Sequence, residues 1–194
     1  MERLDLLGVA LGLAALAGIN LYLTVFATGL AIHFHWITLA PQYQSLEILG
    51  NPWIISIAGV LYLLEFFADK IPYFDTIWDA VHTFIRPPAA AVIAYGAGGA
   101  VSPEWRWAAA LLAGGVALTA HGTKATTRAA VNTVPEPFSN WALSIGEDLL
   151  AVWLTWFTTA HPTAAIVIVV ALLILCAFLL YYLFRFVRRA FRNV

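Results

Sequence analysis

Apolar residues along this chain come in runs too long for the helices of a soluble core, separated by short polar stretches. A membrane-spanning helix needs about 20 predominantly apolar residues, and six segments reach or approach that length. They are Leu6–Ile32, Pro52–Phe67 (extendable to Asp69), Pro87–Val101, Trp107–Ala120 with its helical pattern continuing to Thr133, Trp141–Ala160 and Pro162–Leu183. Pro87–Val101 is the weakest, because fifteen residues at 1.5 Å each reach about 22 Å. Between the second and third segments, Asp75, Asp79, His82 and Arg86 recur at i, i+4, i+7 and i+11, opposite Ile77, Trp78, Val81, Phe84 and Ile85. That spacing predicts an amphipathic helix, lying in the membrane interface or folded back into the bundle. The pattern as a whole predicts an all-α, polytopic transmembrane helix bundle of about six spans, with a short or re-entrant segment and an interfacial helix, as one integral membrane domain over residues 1–194.

Composition agrees. Apolar residues make up 62% of the chain and charged residues 11%, against roughly a quarter charged in a soluble domain, so lipid is the expected solvent for much of the surface. The net charge of −1 offers no basic field for nucleic acid. The single cysteine, Cys176, precludes an intramolecular disulfide. Leu6–Ile32 exceeds the roughly 7–15 residues of a signal-peptide core and reads as a retained first helix.

With six spans, the N-terminus, the second and fourth connections and the C-terminus share one side. Arg3, Lys70, Arg86, Lys124, Arg128, Arg185, Arg188, Arg189 and Arg192 fall there, and Arg106 alone falls opposite. The positive-inside rule makes the rich side cytoplasmic and predicts an inner-membrane protein with both termini inside. Trp36, Trp53, Trp105, Trp107 and Tyr43 fall near the other boundary, as an aromatic belt would. A weak internal repeat, residues 6–101 and 107–184, pairs Pro52 with Pro137 and Pro87 with Pro162. Three spans per half would invert it, although the acids of both halves fall toward the cytoplasm.

Candidate chemistry concentrates in polar stripes. His121, Lys124, Arg128 and Asn132, at i, i+3, i+7 and i+11, share one helix face. They form a candidate substrate-binding stripe for an anion, the alternative being that Lys124 and Arg128 are interfacial anchors. Asn20, Thr24 and Thr28 recur at i, i+4 and i+8; they line a pathway or pack against a neighbouring helix. Glu65 and Asp69 share a face, with Asp69 and Lys70 expected at headgroup level. Glu147 and Asp148 lie about 10–12 Å inside a helix that Ser139 or Asn140 would cap. These four acids are candidates for proton or cation coupling, or members of a structural ion-pair cluster. Asp75, Asp79, His82 and Arg86 make a second cluster, which is a solvated face, a functional site or a loosely spaced metal site. Gly96, Gly98, Gly99, Gly114 and Gly115 read as close helix contacts. Walker A, G-x-S-x-G, H-E-x-x-H and paired-cysteine motifs are absent, and no cofactor is expected.

The strings Ala17-Gly-Ile-Asn-Leu-Tyr-Leu-Thr24, Glu65-Phe-Phe-Ala-Asp-Lys-Ile-Pro72, Trp78-Asp-Ala-Val-His-Thr-Phe-Ile-Arg-Pro87 and Thr127-Arg-Ala-Ala-Val-Asn-Thr-Val-Pro-Glu-Pro-Phe-Ser-Asn140, with Glu147-Asp148, resemble a bacterial membrane family known as domain of unknown function 4126. The resemblance runs over nearly the whole chain. It implies a small polytopic inner-membrane protein and supplies no activity.

Three functions remain open on the sequence. A transporter or flippase-like protein would hold an anionic group, small or lipid-linked, on Lys124 and Arg128 while Glu65, Glu147 or Asp148 exchanges protons. An intramembrane enzyme would act on a lipid or isoprenoid phosphate at the cytoplasmic face. A membrane scaffold would use the charged stripes only to pair. Partners are expected to be the lipid bilayer and an anionic lipid or small molecule, with a homodimer as the expected assembly where the chain does not act alone.

Overall fold

The computed structural model describes residues 2–99, 101–133 and 137–192. Among these the chain is helical: α1 (Glu2–His33), a 3-10 helix (Pro41–Gly50), α2 (Pro52–Ala68), α3 (Phe74–His82), α4 (Arg86–Ala97), α5 (Pro103–Val131), α6 (Pro137–Ala160) and α7 (Pro162–Arg192). Proline opens five of these elements, where its missing N–H costs no helical bond and its fixed φ suits the first turn. Asn51 caps α2 by accepting a bond from the Trp53 backbone N–H at 2.9 Å.

By length and composition two helical stretches can cross a membrane, Leu7–His33 and Pro162–Tyr182. The 3-10 helix and α2, bent by 64° at their junction, would make a third if they act as one span. Large apolar side chains such as Trp53, Ile57, Phe67, Leu111, Val167 and Phe178 are exposed on the outside of the bundle. These features mark a membrane protein.

The first of those stretches is not a straight rod. Asn20 has φ −147° and ψ 94°, outside the helical region, and the chain doubles back there. A straight helix would hold Asp5 and Thr28 about 34 Å apart, yet both line one cavity together with Thr159 and Pro162. Gly12 abuts Thr158, while Leu30 and Ala31 share a groove with the adjacent Thr159. Helix α1 is therefore a hairpin, with arms over residues 2–19 and 21–33 and a tip at Gly18–Asn20. The hairpin occupies the centre, packing against α2, α4, α5, α6 and α7. Its core partners are small: Ala90, Ala94, Ala113 and Ala117 meet Ala10, Ala14, Ala15 and Ala17. A Cβ on Gly18 would lie 2.5 Å from the Ala117 carbonyl oxygen, so only glycine lets the tip approach α5.

The hairpin also separates the chain ends. Asp5 accepts a hydrogen bond from Thr163 at the start of α7, and α7 then runs beside the first arm, with Ile168 packed near Leu16. Its 31 residues cover about 46 Å, so its C-terminal end lies at the opposite end of the bundle. An even count of crossings, as expected from charge, would put the two ends of the chain together; the folded-back α1 places the start of α1 and the end of α7 at opposite ends of the bundle.

Three smaller expectations change. Helix α3 buries Asp75, Asp79 and His82 and exposes Phe74, Ile77 and Val81. Its polar face turns into the bundle and its apolar face outward, which decides for folding back over lying on the surface. Among the described residues, a methyl group added at Gly96 or Gly115 would meet no neighbour and one at Gly114 only ordinary contacts, whereas Gly98 and Gly99 closely approach Arg106 and Ser45, and further close approaches are at Gly8, Gly12, Gly18 and Gly29 of α1. Trp36, Trp53, Trp105 and Trp107 are exposed as a belt would be, but Tyr43 is buried.

Candidate functional site

The polar stripes predicted on separate segments converge at the tip of α1. Helix α5 presents His121, Lys124 and Arg128 inward, with Asn132 at its C-terminal end, all buried. α2 ends there with Glu65 and Asp69, α3 adds Asp75 and Asp79, α4 begins with Arg86, and α6 passes with Glu147 and Asp148. Asp69 is buried.

Three cations bind the cluster together. Arg86 pairs with Glu65 and lies 3.6 Å from Asp79. Lys124 reaches Asp69 at 3.0 Å, Glu65 at 3.2 Å and Glu147 at 3.3 Å. Arg128 reaches Glu147 at 2.6 Å, Asp69 at 3.0 Å and Asp75 at 3.7 Å. Among the described residues five carboxylates thus share three cations, which leaves two negative charges uncompensated if every acid is ionised. Glu65 Oε2, Asp69 Oδ1, Asp75 Oδ2 and both carboxylate oxygens of Asp79 are buried with no hydrogen-bond donor among the described residues. Burial pushes the carboxyl of Asp79, on the non-spanning α3, up to about 6, against the lowering pull of Lys124 and Arg86.

The broken backbone of α1 joins this network. Where a helix ends, its last carbonyls lack intrahelical partners. Here the carbonyl oxygens of Gly18 and Ile19 each accept from Arg86 Nη1 at 3.0 Å, and that of Ile19 also accepts from Lys124 Nζ at 3.2 Å. Asn20 then starts the second arm: its side-chain oxygen accepts from the Leu23 backbone N–H at 3.0 Å, the geometry of an N-cap. Its amide donates to Asp148 at 2.9 Å, which also accepts from Tyr62 at 3.2 Å.

Two histidines are held in the network, and the partners of His121 fix its tautomer. Arginine can only donate, so His121 Nδ1 accepts from Arg86 at 2.9 Å and Nε2–H donates to the Asp79 carbonyl at 2.9 Å. His82 donates from Nδ1 to the Trp78 carbonyl at 2.7 Å and shares a hydrogen bond of 2.9 Å between Nε2 and the Tyr22 hydroxyl. Asn132 donates to Asp75 at 2.7 Å and accepts from Asn140 at 2.9 Å. Asn140 lies inside α6, which begins at Pro137, so it braces Asn132 rather than capping the helix. Residues 134–136 of the predicted loop lie outside the described residues.

The basic stripe expected to hold an anion is already held by acids, because the bundle folds α2, α3 and α6 onto it. The second cluster does not form a metal centre: among the described residues, no three His, Cys, Asp or Glu side chains converge as ligands. Tyr22, Tyr62, Thr83 and Ser144 joined the site without a sequence signal, since lone hydroxyls on apolar helices carry no periodic pattern. Thr83 contacts His121 at 2.9 Å, and Ser144 accepts from Lys70 at 3.1 Å.

The family model described as "Domain of unknown function (DUF4126)" matches residues 7–182, and the chain belongs to that family. No curated protein and no solved structure matches it.

Proposed function

We propose that this member of the DUF4126 family is a small transporter of the bacterial cytoplasmic membrane, driven by protons that its buried carboxylates take up and release. The observation that carries the reading is the charge imbalance at the tip of α1, five carboxylates against three cations, with buried carboxylate oxygens that accept no hydrogen bond on four of the acids among the described residues. A buried carboxylate without a donor is stable only if it takes a proton or a cation. A broken helix, with carbonyls released from the helix and turned to cations on one side and a capped N-terminus on the other, is a feature from which membrane transporters build coupling sites. Because Lys124 and Arg128 are neutralised by acids, the site favours a positively charged species over the anion that the basic stripe alone predicts.

In the topology we infer, α2, α4, α5, α6 and α7 cross the membrane, and the α1 hairpin enters and returns from the outer side. Lys70, Arg86, Lys124, Arg128 and the basic end of α7 then lie toward the cytoplasm, with Arg3 and Arg106 outside, still in keeping with the positive-inside rule. The C-terminus is inside and the N-terminus outside.

The test uses protein reconstituted into vesicles enclosing a pH-sensitive dye. An imposed inside-negative potential is expected to acidify the lumen faster than in protein-free vesicles, and Glu147→Gln is expected to remove most of the gain. Acidification at the protein-free rate, with or without added organic cations, would overturn the reading. The scaffold alternative draws on the complete burial of Glu65, Arg86 and Arg128. It predicts that neutralising these residues lowers folded yield while wild-type protein carries no proton flux.

A further inference from the structure

Between the arms of α1, at the end of the bundle away from the ionic network, lies a cavity of about 210 Å³. Among the described residues, no lysine, arginine or histidine lines it. Its polar groups include the Asp5 carboxylate and the hydroxyls of Thr28, Tyr43 and Thr159, and Val9 and Leu13 supply apolar wall. Thr28, like Thr158 of α6, departs from the usual pattern of threonines in these helices. A buried helical threonine ordinarily donates to the carbonyl four residues back, as Thr24 does to Asn20 and Thr155 to Ala151. Thr28 is 2% exposed, and its hydroxyl has no hydrogen-bond partner among the described residues and borders the cavity.

We propose that this cavity is an entry site for a small organic ammonium ion. The carboxylate of Asp5 supplies the countercharge, the Thr28 hydroxyl accepts an N–H bond, and the Tyr43 ring offers its negative face to the cation. Val9 and Leu13 cover the alkyl part. A carboxylate in a lining that holds no lysine or arginine among the described residues repels anions, and a neutral molecule of the same shape forgoes the ionic contacts. The proposal rests on the transport reading. It names the substrate class and the outer end of its route, along which Asn20, Thr24 and Thr28 climb the second arm over about 12 Å from the network to the cavity.

The test is calorimetric titration of the full-length protein in lipid nanodiscs with n-butylammonium, beside n-butanol and butyrate. Saturable binding of butylammonium alone is expected, weakened about tenfold by Asp5→Asn, which removes a charge-assisted contact. Thr28→Val, nearly the same volume without the hydroxyl, is expected to weaken it severalfold. Absence of butylammonium binding by folded wild type, equal binding of butanol, or indifference to both substitutions would overturn the proposal. Measured on the same preparation, proton flux without butylammonium binding sinks the cavity site and leaves the transport reading standing. Binding without flux does the reverse.

Discussion

Helices α1 and α7 satisfy the same test of length and apolarity, with mean hydropathy 2.0 and 3.2 in their best windows, yet 72% of that window is buried in α1 and 11% in α7. One is the axis of the bundle and the other a face toward lipid. The difference follows from a few residues. α7 offers the membrane an unbroken series of large apolar side chains, among them Val167, Ile174, Leu175 and Phe178. α1 carries Gly8, Gly12 and Gly18, which admit neighbouring backbone and side chains closely, and Asn20, Thr24 and Thr28, which are costly in lipid and all buried here. Apolarity marks a helix for the membrane; small and polar positions within it decide whether it faces lipid or protein.

The largest effect that would break this contrast is all-or-none. An N-terminal alkaline phosphatase fusion is expected to be active and a C-terminal green fluorescent protein fusion to be fluorescent, because the hairpin puts the termini on opposite sides. Both termini reporting the cytoplasm would make α1 a straight span.

Next in size is Arg86→Met, which takes from Asp79 its cation and from the Gly18 carbonyl its donor inside the bundle, and leaves Glu65 with Lys124 alone. Leaving a buried charge unpaired costs about 3–5 kcal/mol, to be read as a large loss of thermal stability in detergent. Phe178→Ala on α7 is expected to change little in the same assay.

Gly18→Val would drive methyl groups into the Ala117 backbone and cost about 1–3 kcal/mol by overpacking, whereas Ala177→Val on the exposed face of α7 is expected to be silent. Asn20→Ala, which removes the cap of the second arm, is expected to cost about 1 kcal/mol, with Asn20→Ser recovering most of it. Equal responses to the paired substitutions in α1 and α7 would erase the distinction between them.

Much of the site was legible. The stripes at His121–Lys124–Arg128–Asn132 and Asp75–Asp79–His82–Arg86 are helical spacings, and local periodicity alone put each on one face. The same spacing could not say which groups each face meets: the inward acids called for basic partners, a basic stripe read alone suggested an anion, and the packing of α2, α3 and α6 decided which carboxylates reach Lys124 and Arg128. The break at Asn20 had a faint signal, an N-cap residue two positions after a glycine inside an apolar run. An apolar run of that length nevertheless satisfies the requirement for a span.

By itself, the sequence determined that this chain is helical, that it belongs in a membrane, and which side chains on each helix lie together, because hydropathy and a period of 3.6 residues are local properties. Tertiary structure alone decided that α1 turns back, that the termini part, and that five carboxylates share three cations. Those outcomes depend on which helices pack together, and a broken helix becomes stable only when Arg86 and Lys124, brought from α4 and α5, satisfy the carbonyls it exposes.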